Sequence, residues 1–353
     1  MQRGDQRDGA YKLRIDAQYW CGNRRNAQCF FLDRSGPTSG THLADLACQL
    51  GVVNHGMGRD GRQFEGQLLH PQLLGKGQRH LALGVAMQLQ FSARAHADFE
   101  GWIDELAQLD RQARSQDAYV IPSLILSDLE QCANFAQQVE QAGLRVLELN
   151  IGAPHGEEAA KGAIVLERDT DRIEQIVRRI RQATTLPLWI KLTGQSENVV
   201  GLAESARRGG ADSLVMMGRF MGFLHDLETE RPLLGTSAAI GGSWALPLTA
   251  RWLMLTRRKL DADFPLIATN GARNGLDVAR FLLSGACATE LTSAVFTGGY
   301  PVLERAIDEL DRYVASRGCT VSELLGVAAD HVQTYQEQVS RQGYWQAFAP
   351  GTD

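Results

Sequence analysis

Chemistry in this chain of 353 residues concentrates in a few short stretches. Leu147-Glu148-Leu149 runs into Asn150-Ile151-Gly152-Ala153-Pro154-His155, an apolar strand pattern that opens into a polar turn holding an amide and an imidazole. Lys191 stands among Leu188, Trp189, Ile190 and Leu192. An ammonium in such a run either finds a partner or reaches back to water, because burying it alone is costly. Gly241-Gly242-Ser243, Asn270-Gly271-Ala272 and Thr292-Ser293-Ala294 combine glycine, amide and hydroxyl groups in turns. Turns of that composition suit a phosphate, since glycine lets the backbone approach and N–H and O–H groups satisfy the anion. Met217-Gly218-Arg219 offers a guanidinium fork for a carboxylate or phosphate, or a plain surface arginine. His55 and His155 carry imidazoles that titrate in the range useful for proton transfer; hydrogen-bonding or packing roles are the alternative. Asn150 is either a ligand for a bound molecule or an Asx-turn residue at a strand end.

These residues need a frame, and the hydrophobic pattern supplies one. Eight apolar runs read as strands: Cys29–Asp33, Gly51–Asn54, Tyr119–Leu126, Val146–Ile151, Leu188–Leu192, Ser213–Met217, Leu266–Thr269 and Glu290–Ser293. Near-continuous apolar runs of this length are expected of parallel strands covered on both faces. Between them lie amphipathic helix patterns. Leu129–Ala142 puts Cys132, Phe135, Ala136 and Val139 on one face, and Thr170–Ala183 does so with Ile173, Ile176, Val177 and Ile180. Asn198–Arg208, Leu246–Arg257 and Gly275–Ser284 repeat the pattern, with Gly143, Gly209-Gly210 and Gly285 as stops. Repeated strand–helix alternation predicts an α/β fold, a (β/α)8 TIM barrel, with a doubly wound open sheet as the alternative. The expected organisation is an N-terminal extension over 1–28, a barrel over 29–321 and a C-terminal helical tail over 322–353. Gln63–Gln90 reads as an elaborated loop over the active face.

Composition narrows the function classes. Hydrophobic residues at 44% and charged residues at 22% fit a soluble globular protein. A net charge of −5 argues against a nucleic-acid partner. No apolar run approaches the roughly 18 residues of a membrane span, and the polar start Met1–Asp8 lacks a signal-peptide core. The six cysteines form no C-x-x-C pair, which argues against an iron–sulfur or zinc site and for free thiols in a reducing cytoplasm.

The strand and turn at Glu148–His155 resemble the signature of the dihydroorotate dehydrogenase family and the matching domain of dihydropyrimidine dehydrogenases. Pro187–Leu192 resembles that family's fifth strand with its inward lysine. Gly209-Gly210-Ala211-Asp212, Gly241-Gly242-Ser243, Ile267–Gly271 and Leu283–Ala286 follow in the family's order, and Arg34-Ser35-Gly36-Pro37 is similar to its first strand end. The resemblance implies FMN, held by Ser35, Gly36, Asn150, Lys191, Gly241, Gly242, Asn270, Gly271, Thr292 and Ser293. It implies hydride transfer between flavin N5 and a C–C/C=C bond of a small molecule, with His155 binding substrate and Lys191 serving catalysis beside the flavin; from their own chemistry, Arg219 is a candidate for binding an anionic substrate group, and His55, His155 or an ordered water for moving the proton. A cytoplasmic homodimer is implied by analogy; the electron partner is left open, since no second nucleotide fingerprint is present. Two positions depart from the family. Ala153 stands where a Cys or Ser base is usual, and Met217-Gly218-Arg219 replaces the usual Asn and Thr or Ser that read a pyrimidine amide. These departures point to a substrate other than dihydroorotate. The alternatives are a dihydropyrimidine or dihydroorotate dehydrogenase with a relocated base, and a non-catalytic flavin- or ligand-binding protein. A tRNA-modifying flavin barrel is disfavoured by the net charge and the Gly241-Gly242-Ser243 turn.

Overall fold

A computed structural model of the chain describes residues 29–31, 63–68, 85–91, 99–114, 118–126, 128–152, 168–232, 238–333, 336–339 and 343. Seven strands run parallel: β3 (Val85–Phe91), β4 (Tyr119–Ile125), β5 (Leu147–Asn150), β6 (Leu188–Lys191), β7 (Ser213–Met216), β12 (Leu266–Ala268) and β13 (Ala288–Leu291), joined in that order. β1 (Cys29–Phe31) pairs antiparallel with β13, and β2 (Gln63–Leu68) pairs antiparallel with β3. These two end strands lie beside each other, so the sheet curls round towards closure. The α/β barrel-type architecture expected from the alternation is therefore present.

The crossovers between parallel strands are helical. α1 (Phe99–Arg114) connects β3 to β4, α2 (Leu129–Gln141) connects β4 to β5, and α3 (Thr170–Arg181) and α4 (Val199–Gly209) follow β5 and β6. α2, α3 and α4 each start where the sequence offers a cap. Asp128 accepts from Gln131 N–H at 2.8 Å, Asp169 from Asp171 N–H at 2.9 Å, and Asn198 from Gly201 N–H at 3.2 Å. Those bonds satisfy donors that a helix leaves free in its first turn. α3 buries Ile173, Ile176, Val177 and Ile180, the stripe that period 3.6 requires. α4 ends at Gly210, whose φ of 106° is open to glycine without steric penalty. α5 (Leu246–Arg257) and α6 (Gly275–Leu283) flank β12, and α8 (Pro301–Arg317) packs on α6. The C-terminal segment forms two short helices, α9 (Val321–Leu324) and α10 (Val327–Asp330), seated against α5 and α6.

Three expectations about strands need correction. Cys29–Phe31 is antiparallel rather than parallel; three apolar residues are too few to carry a signal of direction. Gln63–Gln90 contains β2 and most of β3 instead of reading as loop throughout; glutamines alternate with apolar residues in Val85–Phe91, so no continuous apolar run marks it. The last strand is Ala288–Leu291, two residues earlier than expected, which leaves Thr292 and Ser293 beyond its end. Gly51–Asn54 lies outside the described residues.

Candidate active site

The sheet register brings the polar residues onto one face. Asn150 pairs with Lys191, Lys191 with Val215, Val215 with Ile267, and Ile267 with Ala288. Paired residues share a face, as do residues two apart on a strand. Glu148, Asn150, Lys191 and Glu290 thus point the same way, into the hollow of the curled sheet. The opposite row, Leu149, Ile190 and Leu214, joins the hydrophobic core under the helices.

Lys191 does not snorkel to water. It is 3% exposed, with Nζ 2.9 Å from Glu290 Oε2 and 3.2 Å from Glu148 Oε1. Ser123, on β4 beside Glu148, donates its hydroxyl to Glu148 Oε1 at 2.7 Å. Glu290 comes from three strands away (β6, β7, β12, β13), so the 2.9 Å contact spans the barrel interior. Next to Lys191, Asn150 is only 6% exposed, yet its side-chain amide makes no hydrogen bond among the described residues. Buried amides are normally bonded, so this one is suited to an exogenous partner.

A second group lies at the C-terminal ends of β7, β12 and β13. Asn270 has φ 69° and Gly271 has φ 141°. The Asn270 amide oxygen accepts from Gly242 N–H at 3.0 Å, and its NH2 donates to Gly218 O at 3.2 Å. Asn270 therefore ties the turns after β7 and β12 to the Gly241-Gly242 turn. A Cβ on Gly271 would lie 2.6 Å from Leu246 Cα, and one on Gly241 would lie 2.8 Å from Asn270 Oδ1. Only glycine lets these turns approach so closely. Asp277, in the first turn of α6, accepts from Arg273 N–H at 3.1 Å and pins the far side of the same loop. Thr292 precedes α7 (Ser293–Gly298) at the end of the neighbouring strand, with Ser293 exposed. Arg219 is partly buried just past the Gly218 turn, beside the antiparallel pair β8 (Phe220–Gly222) and β11 (Ala238–Ile240), between which the short strands β9 (His225–Asp226) and β10 (Arg231–Pro232) pair with each other.

The comparisons with known proteins agree with this geometry. The family model described as dihydroorotate dehydrogenase matches residues 99–314. The chain belongs to the dihydroorotate dehydrogenase family. One relative is the catalytic subunit of dihydroorotate dehydrogenase B (NAD(+)) from Methanocaldococcus jannaschii, 24% identical over 64% of this chain and 72% of the relative. The same subunit from Bacillus pumilus is 28% identical over 61% of this chain and 68% of the relative. The fumarate-linked dihydroorotate dehydrogenase A of Lactobacillus helveticus is 30% identical over 46% of this chain and 52% of the relative. A crystal structure of DHODH from Eimeria tenella in complex with ferulenol superposes with a TM-score of 0.55 at 17% identity, covering 67% of this chain and 70% of that one. That likeness supports the fold. As a member of this family the protein is an oxidoreductase.

Of the residues singled out from the sequence, the structure gathers Asn150 with Lys191 in the hollow, and Gly241, Gly242, Asn270 and Gly271 in one loop cluster near Thr292 and Ser293. Ser35, Gly36, His55, Ala153 and His155 lie outside the described residues. Sequence reasoning gave no role to Ser123, Glu148 or Glu290. The available signal was a carboxylate in the middle of each of two buried strands, on the same alternation as the residues already singled out. Among the described residues, no His, Cys, Asp or Glu cluster could hold a metal ion, and no helix is long and apolar enough to cross a membrane.

Proposed function

We propose that the protein is an FMN-dependent oxidoreductase that moves hydride between flavin N5 and a C–C/C=C bond of a small molecule other than dihydroorotate. The observation that carries this reading is the adjacent pair Asn150 and Lys191, a buried amide free to bond and a buried ammonium, at the mouth of a barrel of the dihydroorotate dehydrogenase family. The chain's donors suit FMN. Hydroxyls of Thr292 and Ser293 and the backbone of Gly241 and Gly271 form a turn cluster of neutral donors, which fits a phosphate at the position where barrels commonly bind one. When bound, the flavin supplies the hydride acceptor or donor. Asn270 holds the three turns in place, Asn150 offers its amide to flavin or substrate, and Lys191 puts positive charge near the ring. Arg219 is assigned to an anionic group of the substrate. With Ala153 unable to move a proton, that role goes to His55 or His155. The barrel is assigned to 29–321, with flanking segments 1–28 and 322–353.

The reading of the substrate rests on Ala153 and on Met217-Gly218-Arg219. The relatives are named for dihydroorotate, and this keeps a second reading in play: a dihydroorotate or dihydropyrimidine dehydrogenase with a relocated base. A separate subunit reacting with NAD is the first electron partner to try, because the M. jannaschii relative is named as a catalytic subunit of an NAD(+)-linked enzyme. A reducing cytoplasm belongs to the same proposal, in keeping with the free thiols Cys132, Cys287 and Cys319, and a homodimer is added by analogy with the family.

The decisive experiment is an absorbance spectrum of the purified protein, with identification of the released cofactor, followed by anaerobic mixing with candidate substrates. An oxidised-flavin spectrum with about one FMN per chain supports the reading. Bleaching by dihydroorotate, dihydrouracil or dihydrothymine selects the second reading, and a colourless protein that takes up no added FMN overturns both.

A further inference from the structure

Past the ends of the parallel strands, two aromatic side chains meet. Phe220, the first residue of β8, and Trp244, in the turn before α5, have ring centroids 5.2 Å apart and planes tilted by 53°. The pair is seated at both ends on glycine. A Cβ on Gly194, in the loop after the Lys191 strand, would lie 3.1 Å from Phe220 Cζ, so the phenyl ring rests directly on backbone there. The Trp244 indole lies over Gly242, where an added Cβ would sit 3.5 Å from Cδ1. Gly242 is also the residue whose N–H the Asn270 amide accepts. The two rings thus bridge the loop that follows Lys191 and the glycine turn that Asn270 ties down. They stand on the strand-end face, where barrels carry their chemistry.

These rings do not belong to the core. Trp244 is 48% exposed and Phe220 only half-buried. A ring contributes to stability chiefly through the apolar area it removes from water, and here much of that gain is forgone. A tilted pair leaves ring faces open, and an open indole face takes a further flat ring by stacking. The strand end that leads into Phe220, Met217-Gly218-Arg219, has no side-chain amide or hydroxyl with which to read a polar heterocycle. The wall therefore suits a flat apolar ring, held next to the arginine assigned to an anion.

We propose that Phe220 and Trp244 are specificity-determining residues that stack an aromatic ring carried by the substrate beside its C–C/C=C bond. The inference rests on the reading of function above and narrows the substrate class to aryl-substituted carboxylates of the arylacrylate or arylpropionate kind. The test is isothermal titration calorimetry of the full-length, FMN-loaded protein with cinnamate and 3-phenylpropionate, and with acrylate and propionate, the same acids without the ring. The wild type is expected to bind the ring-bearing acids about tenfold more tightly than the ring-free ones, and Phe220→Met and Trp244→Met, which keep an apolar side chain but remove the ring, to lose most of that ratio. Phe220→Tyr should retain it. Leu227→Ser, at the 91% exposed tip of the same hairpin, should retain it too. The ratio is the readout because a general loss of structure weakens both kinds of acid alike.

A ratio near one, or no binding of cinnamate, in a wild type with full flavin occupancy would overturn the proposal and leave the FMN reading intact. A ratio undiminished in both methionine variants would also overturn it. So would a ratio that falls equally in Leu227→Ser, since the acids would then adhere to exposed apolar surface at large. Methionine variants that both fail to fold, or fold without flavin, would make the pair a structural or cofactor-holding element and reject the specificity role. A wild-type chain that takes up no FMN would reject this proposal and the FMN reading together.

Discussion

Two buried ion clusters sit towards opposite ends of this barrel, and among the described residues they differ in how far their charged side chains reach water. Near the N-terminal ends of the strands, one carboxylate serves two arginines. Asp110 of α1 is 1% exposed and accepts from Arg145 Nη2 at 2.6 Å, Arg114 Nε at 2.9 Å and Val120 N–H at 3.2 Å. Arg145 also stacks on Tyr119 at 3.8 Å and donates to Ala118 O, while both guanidinium side chains keep some contact with water. That cluster is richly bonded and joins α1 to the starts of β4 and β5. In the hollow, Lys191 contacts Glu148 and Glu290 among the described residues, and none of the three reaches solvent to any extent. The face of a barrel near the strand starts commonly maintains stability, and the face near the strand ends carries chemistry. The difference between the clusters follows that division. Outside both clusters, the buried Cys287 stays neutral: burial pushes its thiol up to about 12.

The comparison can be broken most directly at Lys191. Lys191→Met leaves Glu148 and Glu290 without their shared ammonium and is expected to cost about 3–5 kcal/mol in urea unfolding, with loss of flavin reduction. An unchanged unfolding midpoint would remove the distinction between the two clusters. Asp110→Asn should cost less, about 2 kcal/mol, because its arginines keep contact with water. It should also leave flavin content and reduction near those of the wild type. Impaired flavin reduction in a folded Asp110→Asn protein would show that the lower cluster is not purely structural. Gly271→Ala places a side chain at φ 141° and 2.6 Å from Leu246 Cα, so a loss of about 1–3 kcal/mol and weaker FMN retention in equilibrium dialysis are expected. The smallest effect concerns Cys287. Its folded pKa is raised, so the unfolded chain gives up the proton first and stability is complete below about pH 9. It should fall as pH rises from about 9 towards 12. Slow alkylation of Cys287 at pH 8, and a flatter alkaline limb in Cys287→Ala, would check the sign.

Much of the frame was legible from residues 119 onwards. The helices over 129–141, 170–181, 199–209, 246–257 and 275–283 carry a periodic stripe with an identifiable cap or stop, and each was readable within a few residues of its ends. Legibility failed where local pattern was weak. Val85–Phe91 mixes glutamine with apolar residues, and the three-residue β1 is too short to have a period. In the site, Lys191 and Asn150 stood out because a polar group in an apolar run is conspicuous. Asn270 belongs to a turn whose composition suits a phosphate, and its side chain also ties three turns together. Nothing local announced that, since its two partners lie 28 and 52 residues away.

The sequence by itself determined that parallel strands alternate with helices, that glycine-rich turns follow several of them, and that a lysine and an asparagine end neighbouring strands. These are properties of short windows, governed by hydrophobic period, capping and backbone freedom. Only the tertiary structure decided that Glu148, Lys191 and Glu290 meet, because the contact depends on how far the sheet curls. Strand register fixes which face a side chain takes, but curvature fixes which strand it meets across the hollow, and curvature is a property of the whole sheet.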